Sequence, residues 1–105
     1  MQVVWNRRAE YHLNQILLYG VETFGKEIAN RLFHQISKSV KLLSANPYLG
    51  KKEPFIEGLS ITYRSLLVHK HYKLIYHIEA ETIYIAALFD VRKLPSSLVE
   101  EIEGR

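Results

Sequence analysis

The chain has 105 residues, no cysteine, a formal net charge of +3, and 48% apolar against 24% charged residues. Such a length supports one domain around one core, read here as residues 1–105. Disulfides and thiolate metal sites are excluded, and no apolar run reaches the roughly 18 residues that span a membrane. The start, MQVVWNRRAEY, lacks the plan of a signal peptide because its charges follow its apolar run, so a cytoplasmic protein is expected. The mild basicity permits a nucleic acid or an acidic protein as partner and demands neither.

In chain order, Val3 to Trp5 reads as a short strand at a sheet edge. Asn6 follows as an N-cap, and Ala9, Leu13, Ile16 and Leu17 then mark one face of a helix that ends between Val21 and Phe24. Gly25 supplies a turn. Ala29, Leu32, Phe33, Ile36, Val40 and Leu43 step by three and four along a second helix, which Asn46-Pro47 stops. The short break between the two makes an antiparallel helical hairpin. Residues 47–60, with two prolines and two glycines, form a connector whose Leu49, Phe55, Ile56 and Leu59 pack on the domain.

Three alternating runs follow, 61–68, 72–78 and 82–90, joined at His69-Lys70-His71 and Glu79-Ala80-Glu81 by turns tight enough for hairpins. On the last run, Ile83, Ile85, Ala87 and Phe89 are expected on one side. Both faces of the strands carry apolar residues, which leaves open the face the helices cover. Pro95, then Leu98, Val99 and Ile102, suggest a short terminal helix with proline in its first turn. The expected fold is α+β, in the order β-α-α-β-β-β-α: a helical hairpin packed on one face of a small antiparallel sheet.

Phosphate-loop, dinucleotide and nucleophile-elbow motifs are all missing, so neither a cofactor nor a small-molecule substrate is expected. His69 and His71 lie two apart near His77 and are potential metal ligands, but the segment offers no clear third ligand, and solvated turn residues are the simpler reading. Arg64, Lys70 and Lys73 occur without an acid between Arg64 and His77, and Arg92 and Lys93 follow the last strand. If these cations converge on one side of the sheet they can bind phosphates or carboxylates. Tyr63, Tyr72, Tyr76 and Tyr84 crowd the same sheet; strand-forming core residues are a simpler role for them than base stacking.

In its element order and residues, the chain resembles the RelE/ParE superfamily of type II toxin–antitoxin toxins. The likeness covers nearly the whole chain. It rests on Tyr19, Phe24-Gly25-Lys26, Ala29, Asn46-Pro47, Gly50, Arg64, Tyr72-Lys73-Leu74-Ile75-Tyr76, Ile83-Tyr84-Ile85 and Arg92. The resemblance implies a toxin held inactive by an acidic, partly disordered antitoxin segment. It also implies one of two targets. RelE-like toxins cleave mRNA on the ribosome without a metal; here Lys73 and Arg92, with Arg64 nearby, match their basic positions. Such toxins usually carry a Tyr or His near the carboxyl end, whereas none follows Tyr84 and the 93–98 segment offers only serine hydroxyls. ParE-like toxins poison DNA gyrase and need no such acid–base set, and the chain looks closer to this branch. The alternatives are a RelE-like endonuclease and an inactive member that only binds antitoxin. Arg64, Lys73, Arg92 and Lys93 are the expected contacts to target or antitoxin.

Overall fold

The computed structural model describes residues 1–56 and 58–103. Glu57 of the expected connector, and Gly104 and Arg105 of the expected domain, lie outside the described residues. The elements are β1 (Gln2–Trp5), α1 (Arg7–Phe24), α2 (Lys26–Ala45), β2 (Lys51–Lys52), a 3-10 turn (Pro54–Ile56), β3 (Arg64–His69), β4 (Tyr72–Glu79), β5 (Thr82–Asp90) and α3 (Ser97–Glu103). Asn6 caps α1 as expected, its side chain accepting the Ala9 amide hydrogen bond at 2.8 Å. Gly25 joins the helices at φ 92°, a conformation most residues avoid.

The five strands form one sheet in the order β1-β5-β4-β3-β2. The sheet is mixed: β1 runs parallel to β5, whereas the remaining pairs are antiparallel. The expectation of an antiparallel sheet is corrected at this edge alone. Periodicity reveals that Val3 to Trp5 is a strand, but the helical hairpin decides where it returns. The connector also holds more order than its punctuation suggests, namely β2 and the 3-10 turn, and β3 begins at Arg64 rather than at residue 61. Pro95 stands before α3, in a turn closed by the Leu98 amide on its carbonyl.

The helical hairpin covers one face of the sheet, as expected, but the terminal helix covers the other, so helices are not confined to one face. The α1–α2 hairpin packs on Leu74, Tyr76, Ile83, Ile85 and Leu88, while α3 and the 3-10 turn bring Leu98 and Ile56 against Ile75, Ala87 and Phe89. The last strand therefore does not present Ile83, Ile85, Ala87 and Phe89 on one side. Tyr76 pairs with Ile85 and Ile75 with Ala87, leaving Ala86 as a bulge that reverses the alternation. A strand with apolar residues at nearly every position can accept such a slip, because either face finds a core.

The β4–β5 turn places Ala80 at φ 47° and Glu81 at φ 63°. Two successive left-handed residues between paired Glu79 and Thr82 make the hairpin turn that follows strand twist, normally filled by Asn-Gly. Glu81→Gly is expected to stabilise the protein by about 1 kcal/mol, since the left-handed conformation costs a side-chain-bearing residue roughly that much. A raised urea midpoint at unchanged m-value is the readout.

Candidate functional site

An open cleft of about 790 Å³ lies between α1, the end of β5 and α3. Arg8, His12 and Tyr19 line it from α1, at spacings of four and seven that place them along one helical face. Asp90, Arg92 and Lys93 line it from the sheet side. Arg92 grips Asp90 with a fork, Nε to Oδ1 and Nη2 to Oδ2, both at 2.9 Å, and its backbone amide also donates to Oδ1. The hydrogen bond from Arg92 holds the Asp90 carboxyl below its ordinary pKa, against a smaller opposing effect of burial. Burial pushes the Tyr72 phenol up, and the Asp90 charge adds to the effect.

Glu101 on α3 ties the other side of the cleft together. It accepts from Lys93 at 2.7 Å and meets His12 Nε2 at 3.1 Å. The Leu88 amide donates to His12 Nδ1 at 3.3 Å, on the stretch of β5 beyond its pairing with β1. Burial lowers the His12 pKa; Glu101 opposes this, while Arg8 and Lys93 reinforce it. A neutral imidazole fits both bonds, accepting at Nδ1 and donating at Nε2. His12 was not singled out in the sequence. The available signal was a polar residue beside Ala9, Leu13 and Ile16 on the apolar stripe.

The four expected contact residues do not form one basic patch. Arg64 pairs with Tyr76 across β3 and β4 and shares its face, toward the helices. Lys73, one residue from Leu74, points to the opposite face, where it pairs with Glu53 and lies 5.9 Å from the Phe55 ring centre and 5.7 Å from that of Phe89. Arg92 and Lys93 belong to the cleft. The expected convergence on one side of the sheet is thus corrected, because strand alternation sends Arg64 and Lys73 to different sides.

Glu53 is the second residue that the sequence did not single out. Its side chain is fully buried, and it accepts from Lys73 and from the Phe55 amide, the latter at 3.0 Å. Burial disfavours its ionisation, but hydrogen bonds from Lys73, the Phe55 amide and Ser65 outweigh burial and hold its carboxyl below the usual range. Flanked by Lys51, Lys52 and Pro54 in a connector, it reads in sequence as a solvated acid.

The exit from α2 is built around Tyr76. Its phenol donates to the Pro47 carbonyl at 2.8 Å and accepts from the Gly50 amide at 2.9 Å. Arg64 Nη1 donates to the Gly50 carbonyl at 2.8 Å, and its guanidinium lies 4.9 Å from the centre of the Tyr48 ring. Asn46-Pro47, Gly50, Arg64 and Tyr76, all quoted for the superfamily resemblance, thus form one connected structure.

The His69-His71 pair occupies the β3–β4 turn. His69 Nδ1 accepts from the His71 amide at 3.1 Å, and its ring packs at 5.6 Å on Tyr72. His77 stacks on Tyr84 at 5.3 Å and meets Tyr63 edge-on at 5.6 Å. Among the described residues no three His, Cys, Asp or Glu are grouped so as to hold a metal ion, and no helix is long and apolar enough to cross a membrane.

Residues 3–95 match the family described as ParE toxin of the type II toxin–antitoxin system parDE. The chain belongs to the ParE toxin family. This places it in the RelE/ParE superfamily of type II toxins, as its residues suggested. The fold of this ParE-family chain is similar to that of a chain from the chromosomal ParDE system of P. aeruginosa. There the TM-score is 0.72 at 23% identity, over 87% of this chain and 96% of that one. It is also similar to the YoeB dimer of Staphylococcus aureus, with a TM-score of 0.55 at 19% identity over 84% and 93% of the two chains. A chain of the heterotetrameric YoeB–YefM toxin–antitoxin complex from the same organism gives 0.54 at 19% identity, over 84% and 93%. No curated protein matches the chain.

Proposed function

We propose that this ParE-family toxin acts in the cytoplasm by poisoning DNA gyrase, and that a cognate acidic antitoxin neutralises it. The observation that carries the choice of target is the engagement of Lys73 and Arg92, the two cations that match the basic positions of the ribonuclease branch. A metal-independent ribonuclease needs cationic groups free to take up charge developing on the phosphate. Lys73 is instead paired with buried Glu53, Arg92 is forked onto Asp90, and they stand in different parts of the fold. Both nitrogens of His12, the imidazole in the cleft, are engaged. Side chains held in this way suit structural support, as at Lys73, or recognition, as at Arg92, better than proton transfer. The antitoxin follows by likeness to the ParDE system and the YoeB–YefM complex, which are toxin–antitoxin assemblies by name.

Expression of the chain alone is expected to arrest growth, and the purified protein to inhibit supercoiling or trap gyrase–DNA cleavage complexes while translated mRNA stays intact. DNA topology and mRNA integrity, scored in the same cells, test this. Cleavage of mRNA in the ribosomal A site with gyrase unaffected would establish the RelE-like reading instead. Normal growth would leave only an antitoxin-binding member of the family.

A further inference from the structure

We propose that the shelf formed by Tyr48, Lys52 and Arg64 is the docking site of an acidic, partly apolar peptide segment, with a carboxylate seated between Lys52 and Arg64. This rests on the antitoxin reading above and places that contact at the β2–β3 edge, away from the Arg92 cleft. Lys52 stands directly opposite Arg64 in the β2–β3 pair. Side chains so placed share a face with Cβ atoms about 5 Å apart, and like charges there repel. Among the described residues, no carboxylate pairs with Lys51, Lys52 or Arg64, whereas Lys73, Arg92 and Lys93 each have one. Two uncompensated cations held face to face are a seat for a carboxylate.

The seat is pre-organised. The Gly50 carbonyl takes one N–H of Arg64, and the Tyr48 ring lies against the guanidinium. The remaining donors of the fork stay available for an incoming carboxylate. Beside them, Tyr48 is 66% exposed and Leu49 46% exposed. Apolar surface next to paired cations fits a peptide that carries both acidic and apolar side chains. It fits a nucleic acid less well, since Arg64 already occupies one face of the Tyr48 ring and so limits base stacking on it.

The test titrates the isotope-labelled full chain with three probes: a short peptide of Glu, Asp, Leu and Phe, the same peptide with Gln and Asn for its acids, and a short single-stranded DNA. Amide shifts are expected at residues 48–52 and 64–66 with the acidic peptide. Binding should weaken about tenfold with the amide peptide and about tenfold in Lys52→Glu, an exposed change that leaves the fold intact. Tyr48→Ala provides a second variant, which keeps both charges but removes the ring against the Arg64 guanidinium, and should weaken binding as well. Shifts on another surface, indifference to Lys52→Glu, or preferential binding of the DNA at the shelf would overturn the proposal. The protein of the adjacent reading frame separates this from the antitoxin reading. If that protein neutralises Lys52→Glu toxin as well as wild type, the shelf is wrong and the antitoxin reading stands. If it neutralises neither while the acidic peptide still binds the shelf, the antitoxin reading fails and the shelf stands.

Discussion

Gly50→Ala is expected to destabilise the protein by about 3 kcal/mol, the upper range for forcing a group into a packed site. A Cβ built at Gly50 would lie 2.6 Å from the Ser65 carbonyl oxygen, 2.7 Å from the Tyr76 hydroxyl and 2.8 Å from Tyr76 Cε1. Neither neighbour can yield at low cost. The Ser65 carbonyl belongs to β3, and the Tyr76 ring is fully buried while its hydroxyl holds Pro47 and Gly50. Tyr76→Phe keeps the ring but strips the Gly50 amide and the Pro47 carbonyl of their partner, at a cost of about 2 kcal/mol. The double variant should lose less than the sum of the two, because removing the hydroxyl also removes one of the clashes. Urea denaturation at constant m-value measures all three, and a Gly50→Ala protein as stable as wild type would refute this packing argument. The residue-50 carbonyl that holds Arg64 remains in this variant but must shift with the backbone, so peptide binding at the shelf should fall with it.

Lys73→Met should cost about 3 kcal/mol at neutral pH, the usual penalty for leaving one member of a buried ion pair uncompensated. Its pH dependence gives the mechanism. In wild type the folded pKa of Glu53 lies below its unfolded value. The stability it contributes is therefore present above the unfolded pKa of about 4.3 and is lost as pH falls through the folded one. Without Lys73, burial dominates and favours the protonated acid, so the variant recovers relative to wild type as the medium is acidified toward about pH 4. A deficit that stays constant between neutral and acid pH would mean that Glu53 is not the group responsible.

The same residue also separates the two targets. Glu53→Gln combined with Lys73→Met removes both charges and is expected to regain at least half of the lost stability. On the gyrase reading, this refolded double variant remains toxic. A ribonuclease using Lys73 to stabilise its transition state would lose activity by orders of magnitude in the same variant. Toxicity and stability measured on one protein thus separate a structural lysine from a catalytic one.

Much of the fold was legible in the chain because it depends on local signals. The steps of three and four along α2, the cap at Asn6, and the alternation of Tyr72, Leu74 and Tyr76 each act within a few residues. Their elements lie where the patterns put them. The superfamily was legible as well, since Asn46-Pro47, Gly50, Arg64 and Tyr76 make a single hydrogen-bonded exit whose parts are individually ordinary. Tertiary structure decided what depends on residues far apart in sequence. The bulge at Ala86 moved Ala87 and Phe89 to the second face, where α3 and the 3-10 turn cover them. Periodicity could not show it, because the strand is apolar on both sides. Charge pairing was hidden for a related reason: Lys73 meets Glu53 across twenty residues, and His12 meets Glu101 from the opposite end of the chain. A count of cations in sequence treats each as free. Only the packed chain brings acids to Lys73, Arg92 and Lys93 and none of those described to Lys52 and Arg64. For Lys73 the reason is physical, because Glu53 is buried and an unpaired charge there would be costly.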